Sequence, residues 1–148
     1  MIPGIRQGGF TLIEILISLG VLAIVTGSIL FFINPTEQFA KTRNTERAGD
    51  ITNLLNAIGS RIADNGGAWN ATCGASTTTL PSATTTIGTS YVNLDPCLVP
   101  AYLSSVPFDP QTGNAADTKY QIFRNATTGR ITISASGAEL GESLSVTR

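Results

Sequence analysis

The chain predicts an α+β fold: one long N-terminal helix, apolar in its first half and amphipathic in its second, packed on a small antiparallel sheet. Three observations carry this. Phe10–Ile33 is a run of 24 residues with a single ionisable side chain, Glu14. From Thr36 to about Asn65, apolar residues recur at helical spacing. Strand-like alternation is strongest late in the chain, and helix first with strands after is the order of an α+β domain.

The apolar run comes first. As a helix it is about 36 Å long at about 1.5 Å per residue, enough to cross a hydrocarbon core of about 30 Å. A carboxylate at the bilayer centre costs about 2.5–3.5 kcal/mol on insertion scales, and less near an interface. Glu14 therefore calls for a partner. The residues ahead of the run, MIPGIRQGG, are too short and too polar for a secretory signal: no apolar stretch precedes Gly9 and no small-x-small cleavage site is present. The apolar stretch instead follows the leader and is kept.

This order, with GFTLIE opening the apolar run, closely resembles the prepilin leader and N-terminal helix of type IV pilins and type II secretion pseudopilins. The match is specific at the N-terminus and looser over the remainder. The resemblance implies that a membrane prepilin peptidase and methyltransferase cuts between Gly9 and Phe10 and methylates the Phe10 amino group. It makes Glu14 the family's glutamate. It also implies a homopolymeric filament, an inner-membrane assembly platform, and a single-pass inner-membrane precursor whose C-terminal domain lies outside. The product is then a periplasmic or extracellular filament.

Elementary chemistry agrees. A freed Phe10 carries a positive α-amino group, and Glu14 lies one helical turn along, where the helix dipole favours negative charge. In an apolar setting, where an unpaired charge is expensive, it can neutralise the amino terminus of a neighbouring copy and so set axial register. The plainer alternative is that Glu14 snorkels to the interface of a signal anchor, which leaves the Gly9-Phe10 junction unexplained. It belongs to a second reading: a monomeric, signal-anchored ectodomain that binds a surface ligand such as a glycan. That reading predicts an uncut leader and tolerance of Glu14→Ala. Flanking charge does not fix orientation. Arg6 precedes the span while Lys41, Arg43 and Arg47 follow it, offset by Glu37 and Glu46. The leader and the cysteines favour an outside C-terminus.

Residues 1–9 thus form a leader, 10–34 a membrane or filament-core helix, and 35–66 an amphipathic helix. Residues 67–148 complete one domain with 35–66. Asn34-Pro35 predicts a kink or short break. In the amphipathic helix Ile51, Leu54, Leu55, Ile58 and Ile62 share one face. Lys41, Arg43, Glu46, Arg47, Asp50 and Arg61 are assigned to the opposite, solvated face, with contacts to neighbouring subunits as the sharper alternative. Asn65-Gly66-Gly67 ends the helix.

Cys73 and Cys97 are the only cysteines. In a translocated domain two such residues most simply form a disulfide, with buried free thiols as the alternative. Ser76–Ser90, with ten Ser or Thr in fifteen residues, reads as a surface loop. Tyr120–Arg124 and Arg130–Ser134 read as a hairpin joined by Asn125–Gly129. Leu144–Thr147 reads as an edge strand, and Tyr91–Leu94 as a weaker one. Pro100–Pro110 reads as a turn of helix followed by an extended segment. That segment with its two following strands resembles a major pseudopilin; the cysteine-bounded loop resembles a pilin.

Chemistry is sparse. Asp109, Gln111, Asn114 and Asp117 place four oxygen-bearing side chains in one loop, which would suit calcium through Asp109 and Asp117. An Asp-Pro turn with ordinary side-chain caps is the alternative. No other cofactor is expected. There is no histidine, no phosphate-binding glycine loop and no nucleophile with a base, so an enzyme is not expected. Without Arg6 the side chains carry 8 basic against 10 acidic groups, a net of −2, which offers no footprint for nucleic acid.

Overall fold

The computed structural model describes residues 9–32 and 34–148. The leader residues 1–8, with Arg6, and Ile33 at the end of the apolar run lie outside the described residues. The chain divides into two compact units between Thr36 and Glu37.

The first unit is helix α1, Leu12–Phe32. Thr11 caps it: the Glu14 N–H donates to the Thr11 carbonyl at 3.1 Å and to its hydroxyl at 3.3 Å. Thr11 and Glu14 thus hold the two positions of a capping box, Ser/Thr-x-x-Glu. Along the helix Ser18, Thr26 and Ser28 donate their hydroxyls to the carbonyls of Glu14, Leu22 and Ile24, at 2.7, 2.8 and 2.9 Å. Those polar groups are satisfied inside the helix, as a hydrocarbon environment demands. No residue of Leu12–Ile29 is buried within the chain. So large an unbroken apolar surface needs lipid or another molecule to cover it.

The second unit is α+β. Helix α2 runs Pro35–Asp64, opening with proline at the first helical position, where a missing N–H costs nothing. Its end is a complete Schellman closure. The Gly67 N–H reaches the Ile62 carbonyl at 2.9 Å and the Gly66 N–H that of Ala63 at 3.3 Å, with Gly66 at φ +72. After α2 come β1 (Thr72–Cys73) and β2 (Ser76–Thr77), a short antiparallel pair. β3 (Thr85–Thr86), helix α3 (Asp95–Leu98), β4 (Tyr120–Arg124), β5 (Ile131–Ala135) and β6 (Leu144–Thr147) follow. The main sheet is antiparallel in the order β3-β4-β5-β6, with Ile122 opposite Ile133 and Ile133 opposite Val146.

One core joins these layers. Ile51, Leu54 and Ile58 of α2 are fully buried with Ile87, Leu94, Leu98, Tyr120, Ile122 and Ile133. β4 and β5 alternate as half-buried strands do, Tyr120 and Ile122 inward, then Ile131, Ile133 and Ala135 inward.

Several elements depart from the sequence reading. The Ser/Thr tract is not all surface loop: Thr85–Thr86 pair with Ile122 and Gln121 as an edge of the main sheet, and Ile87 is fully buried. Threonine is β-branched and favours a pleated strand, so one well-placed apolar residue suffices to dock it. Tyr91–Leu94 forms no strand, only a single bridge from Val92 to Ile87. The helical turn expected after Pro100 comes earlier, at Asp95–Leu98. The hairpin's second strand begins at Ile131 rather than Arg130.

Cys73 and Cys97 form a disulfide, Cα atoms 4.7 Å apart, tying β1 to α3. Both residues are buried. In the chain-entropy model a loop of this size contributes about 3.5 kcal/mol. Cys73→Ser with Cys97→Ser is therefore expected to lose about that much in denaturant unfolding, with the native-state circular dichroism retained. A variant as stable as the parent would show that α3 is held by packing alone.

Candidate functional site

The junction at the start of α1 is open. Gly9 and Phe10 precede the first helical residue and are exposed, Phe10 by 78%. A Cβ placed on Gly9 would meet nothing within 4 Å, so the chain's own packing places no demand for glycine there. Any such demand comes from what handles that peptide bond. Glu14 is exposed on the first turn of α1 and makes no ion pair among the described residues. Gly20 and Gly27 likewise have open space where a Cβ would sit, and small residues on a span let another helix approach closely.

Of the α2 charges assigned to a solvated face, Lys41 and Glu46 are exposed as expected, but Arg47 is buried and Arg43, Asp50 and Arg61 are half-buried, which corrects the sequence reading for those four. Arg47 is 1% exposed. Its Nε donates to Asp109 Oδ2 at 2.6 Å, and its Nη1 to Glu139 Oε2 at 2.8 Å and Asn44 Oδ1 at 3.0 Å. Arg43 grips the same Glu139 through two bonds, at 2.7 and 2.6 Å. Asn44 completes the frame by accepting from the Glu139 N–H and donating to its carbonyl. Two separate loops, one around Asp109 and one around Glu139, are thereby fastened to α2. Gly137 packs flat on the pair; a Cβ there would lie 2.6 Å from Asp109 Oδ2.

Electrostatics follow the geometry. Burial pushes the Asp109 carboxyl up, but the Arg47 bond and the N–H groups of Thr112 and Gln111 outweigh it and hold it at about 2. The bonds from Arg43 and then Arg47 hold Glu139 at about 2. Elsewhere on α2, Asp50 accepts the Tyr120 hydroxyl at 2.7 Å, and burial raises its carboxyl despite that bond. Arg61 donates to the carbonyls of Cys97, Asn70 and Thr72 at 3.1, 3.0 and 2.9 Å. It therefore braces the disulfide.

The oxygen-bearing loop is placed differently from a calcium cage. Asp109 Oδ1 accepts from the N–H groups of Gln111 and Thr112, and its other oxygen is taken by Arg47. Asn114 caps Ala116 and Asp117, and Asp117 pairs with Lys119. Among the described residues no group of three or more acidic, His or Cys side chains is arranged to hold a metal. A cation on Asp109 would have to displace a buried guanidinium. The melting temperature of the full-length protein is accordingly expected to be the same with calcium as with chelator. A rise with calcium would mean that the loop rearranges.

Sequence reasoning singled out Gly9, Phe10, Glu14 and both cysteines but missed the Arg47 cluster. A signal was present. Arg47, Asn44 and Ala40 precede Ile51 by four, seven and eleven residues, continuing its buried stripe toward the N-terminus.

An apolar helix long enough to cross a membrane, with an acid in its first turn that pairs with no described residue, leads into an α+β unit: the architecture is pilin-like. Residues 5–30 match the family model described as the prokaryotic N-terminal methylation motif. The chain thus carries the hallmark of type IV pilins and pseudopilins. No curated protein and no solved structure matches the chain.

Proposed function

We propose that this chain is a structural subunit of a type IV pilus-like filament, either a pilin or a type II secretion pseudopilin. A prepilin peptidase cuts the precursor between Gly9 and Phe10 and the Phe10 amino group is methylated. The α1 helices then leave the membrane and bundle into a filament core, with Glu14 of one copy facing the Phe10 amino group of another. The carrying observation is the methylation motif over residues 5–30, set on a helix none of whose apolar window is buried by its own chain. No catalytic role is needed: the work is mechanical, and the α+β unit is the part presented outward.

Two features support the chemistry. Gly9 and Phe10 lie ahead of α1, which begins at Leu12, so the junction need not unwind from that helix for a peptidase to cut it. Glu14 pairs with no described residue, which suits a charge that meets another copy. Mass spectrometry of the mature N-terminal peptide tests the reading. It is expected to begin at Phe10 and to carry one added methyl group. A peptide that still begins at Met1 would instead support the signal-anchored monomer.

A further inference from the structure

From Phe10 onward the chain has eight basic residues, and five are engaged. Lys41, Arg43, Arg47 and Lys119 pair with carboxylates, and Arg61 is spent on carbonyls. The other three, Arg124, Arg130 and Arg148, form no ion pair among the described residues, nor do their guanidiniums hydrogen-bond to any of them. All three line one cleft of about 330 Å³, together with Trp69 and Thr128.

Scattered surface arginines would need no explanation. Convergence on one concavity of every described basic residue that lacks a partner does. Guanidinium groups do not lose their protons in proteins, so the three arginines bring fixed positive charge to the borders of this cleft, with Arg148 reaching back toward Gly59 of α2. The Trp69 side of the lining is well fixed. The Trp69 Nε1–H donates to the Thr78 carbonyl at 2.8 Å, and Arg61 lies 5.3 Å from the ring centroid.

We propose that this cleft binds an acidic saccharide, a short run of sugar rings bearing carboxylates. The guanidinium fork matches a planar carboxylate with two parallel bonds. An aromatic wall takes the apolar face of a sugar ring, and Thr128 offers a hydroxyl to its rim. The volume suits a small ligand rather than a protein face. A nucleic-acid strand fits less well: it needs a longer basic track with several aromatics for successive bases, and this cleft has a single tryptophan on a net-acidic chain. The site does not depend on whether the chain polymerises.

Trp69 is the only tryptophan, so its fluorescence reads this cleft alone. Full-length protein in neutral detergent, titrated with trigalacturonate, is expected to give a saturable change that weakens as salt is raised. Arg124→Gln and Arg130→Gln, both at exposed positions, are each expected to weaken it about tenfold. Neutral maltotriose should give no response. The proposal is overturned by no saturable change, by equal binding of maltotriose or inorganic sulfate, or by parent-like titration of both variants. Tighter binding of trithymidylate would reassign the cleft to nucleic acid.

Discussion

Glu14→Gln is expected to abolish filaments while leaving membrane insertion and leader cleavage intact. The substitution keeps the side-chain length, and glutamine serves as well as glutamate in the third position of a capping box. The Thr11–Glu14 cap of α1 is therefore preserved and only the charge is lost. In the membrane the neutral side chain is easier to accommodate, since the acid costs about 2.5–3.5 kcal/mol at the bilayer centre. The precursor should accumulate at least as well as the parent. In a filament the balance reverses. Each freed Phe10 amino group enters an apolar core beside a residue that no longer carries a charge. An uncompensated buried charge costs about 3–5 kcal/mol, repeated at every subunit added. Sheared surface fractions viewed by electron microscopy decide the matter. Parent-like numbers of filaments from the Gln variant would remove the role assigned to Glu14. Cleaved, methylated but unassembled subunit is the expected result.

How much of this was legible in the sequence depends on the range of the forces involved. α1 needs only a hydropathy run and a cap, both local, and its start at Leu12 falls where GFTLIE places it. The α2 stripe, the Gly66-Gly67 closure and the β4–β5 hairpin are set by period and turn chemistry, and they formed within a residue or two of expectation. The errors come where a distant partner decides. Thr85–Thr86 looks like polar loop until β4 offers a ladder for it. Arg47 looks like a surface cation because an arginine is seldom fully buried without a partner, and its partners Asp109 and Glu139 lie 62 and 92 residues away. No spacing rule reaches that far. Asp109 was noticed for its oxygens and assigned to calcium or a turn cap. It keeps its turn cap, and its cation is a guanidinium. The same pairing bears on the flanking charges that leave orientation open: Lys41, Arg43 and Arg47 each face an acid in the folded unit.

The Arg47–Asp109 pair is where the second unit is most vulnerable. Arg47→Met keeps the length and apolar stem of the side chain but strands a fully buried carboxylate. Breaking one side of such a pair costs about 3–5 kcal/mol, a large part of the about 5–15 kcal/mol that holds a typical domain together. A lower melting temperature of that order is expected, read by thermal unfolding of the full-length protein. Adding Asp109→Asn should recover much of it. The amide oxygen can still accept from Gln111 and Thr112 while the stranded charge disappears, and Glu139 retains Arg43. Gly137→Ala tests the same pair from outside, since its new methyl group meets Asp109 at 2.6 Å. Acid adds an independent readout. Asp109 and Glu139 sit at about 2 in the folded chain, below their ordinary values of 3.8 and 4.5. The unfolded state therefore takes up protons first as the pH falls. The stability these groups supply is complete above that ordinary range and drains away toward pH of about 2. In Arg47→Met the Asp109 carboxyl loses the partner that holds it down, so its share of that acid limb should flatten, leaving the part that Glu139 keeps through Arg43. A Met variant that melts with the parent and shares its acid limb would show that the two loops are held to α2 by packing, with the buried charges incidental.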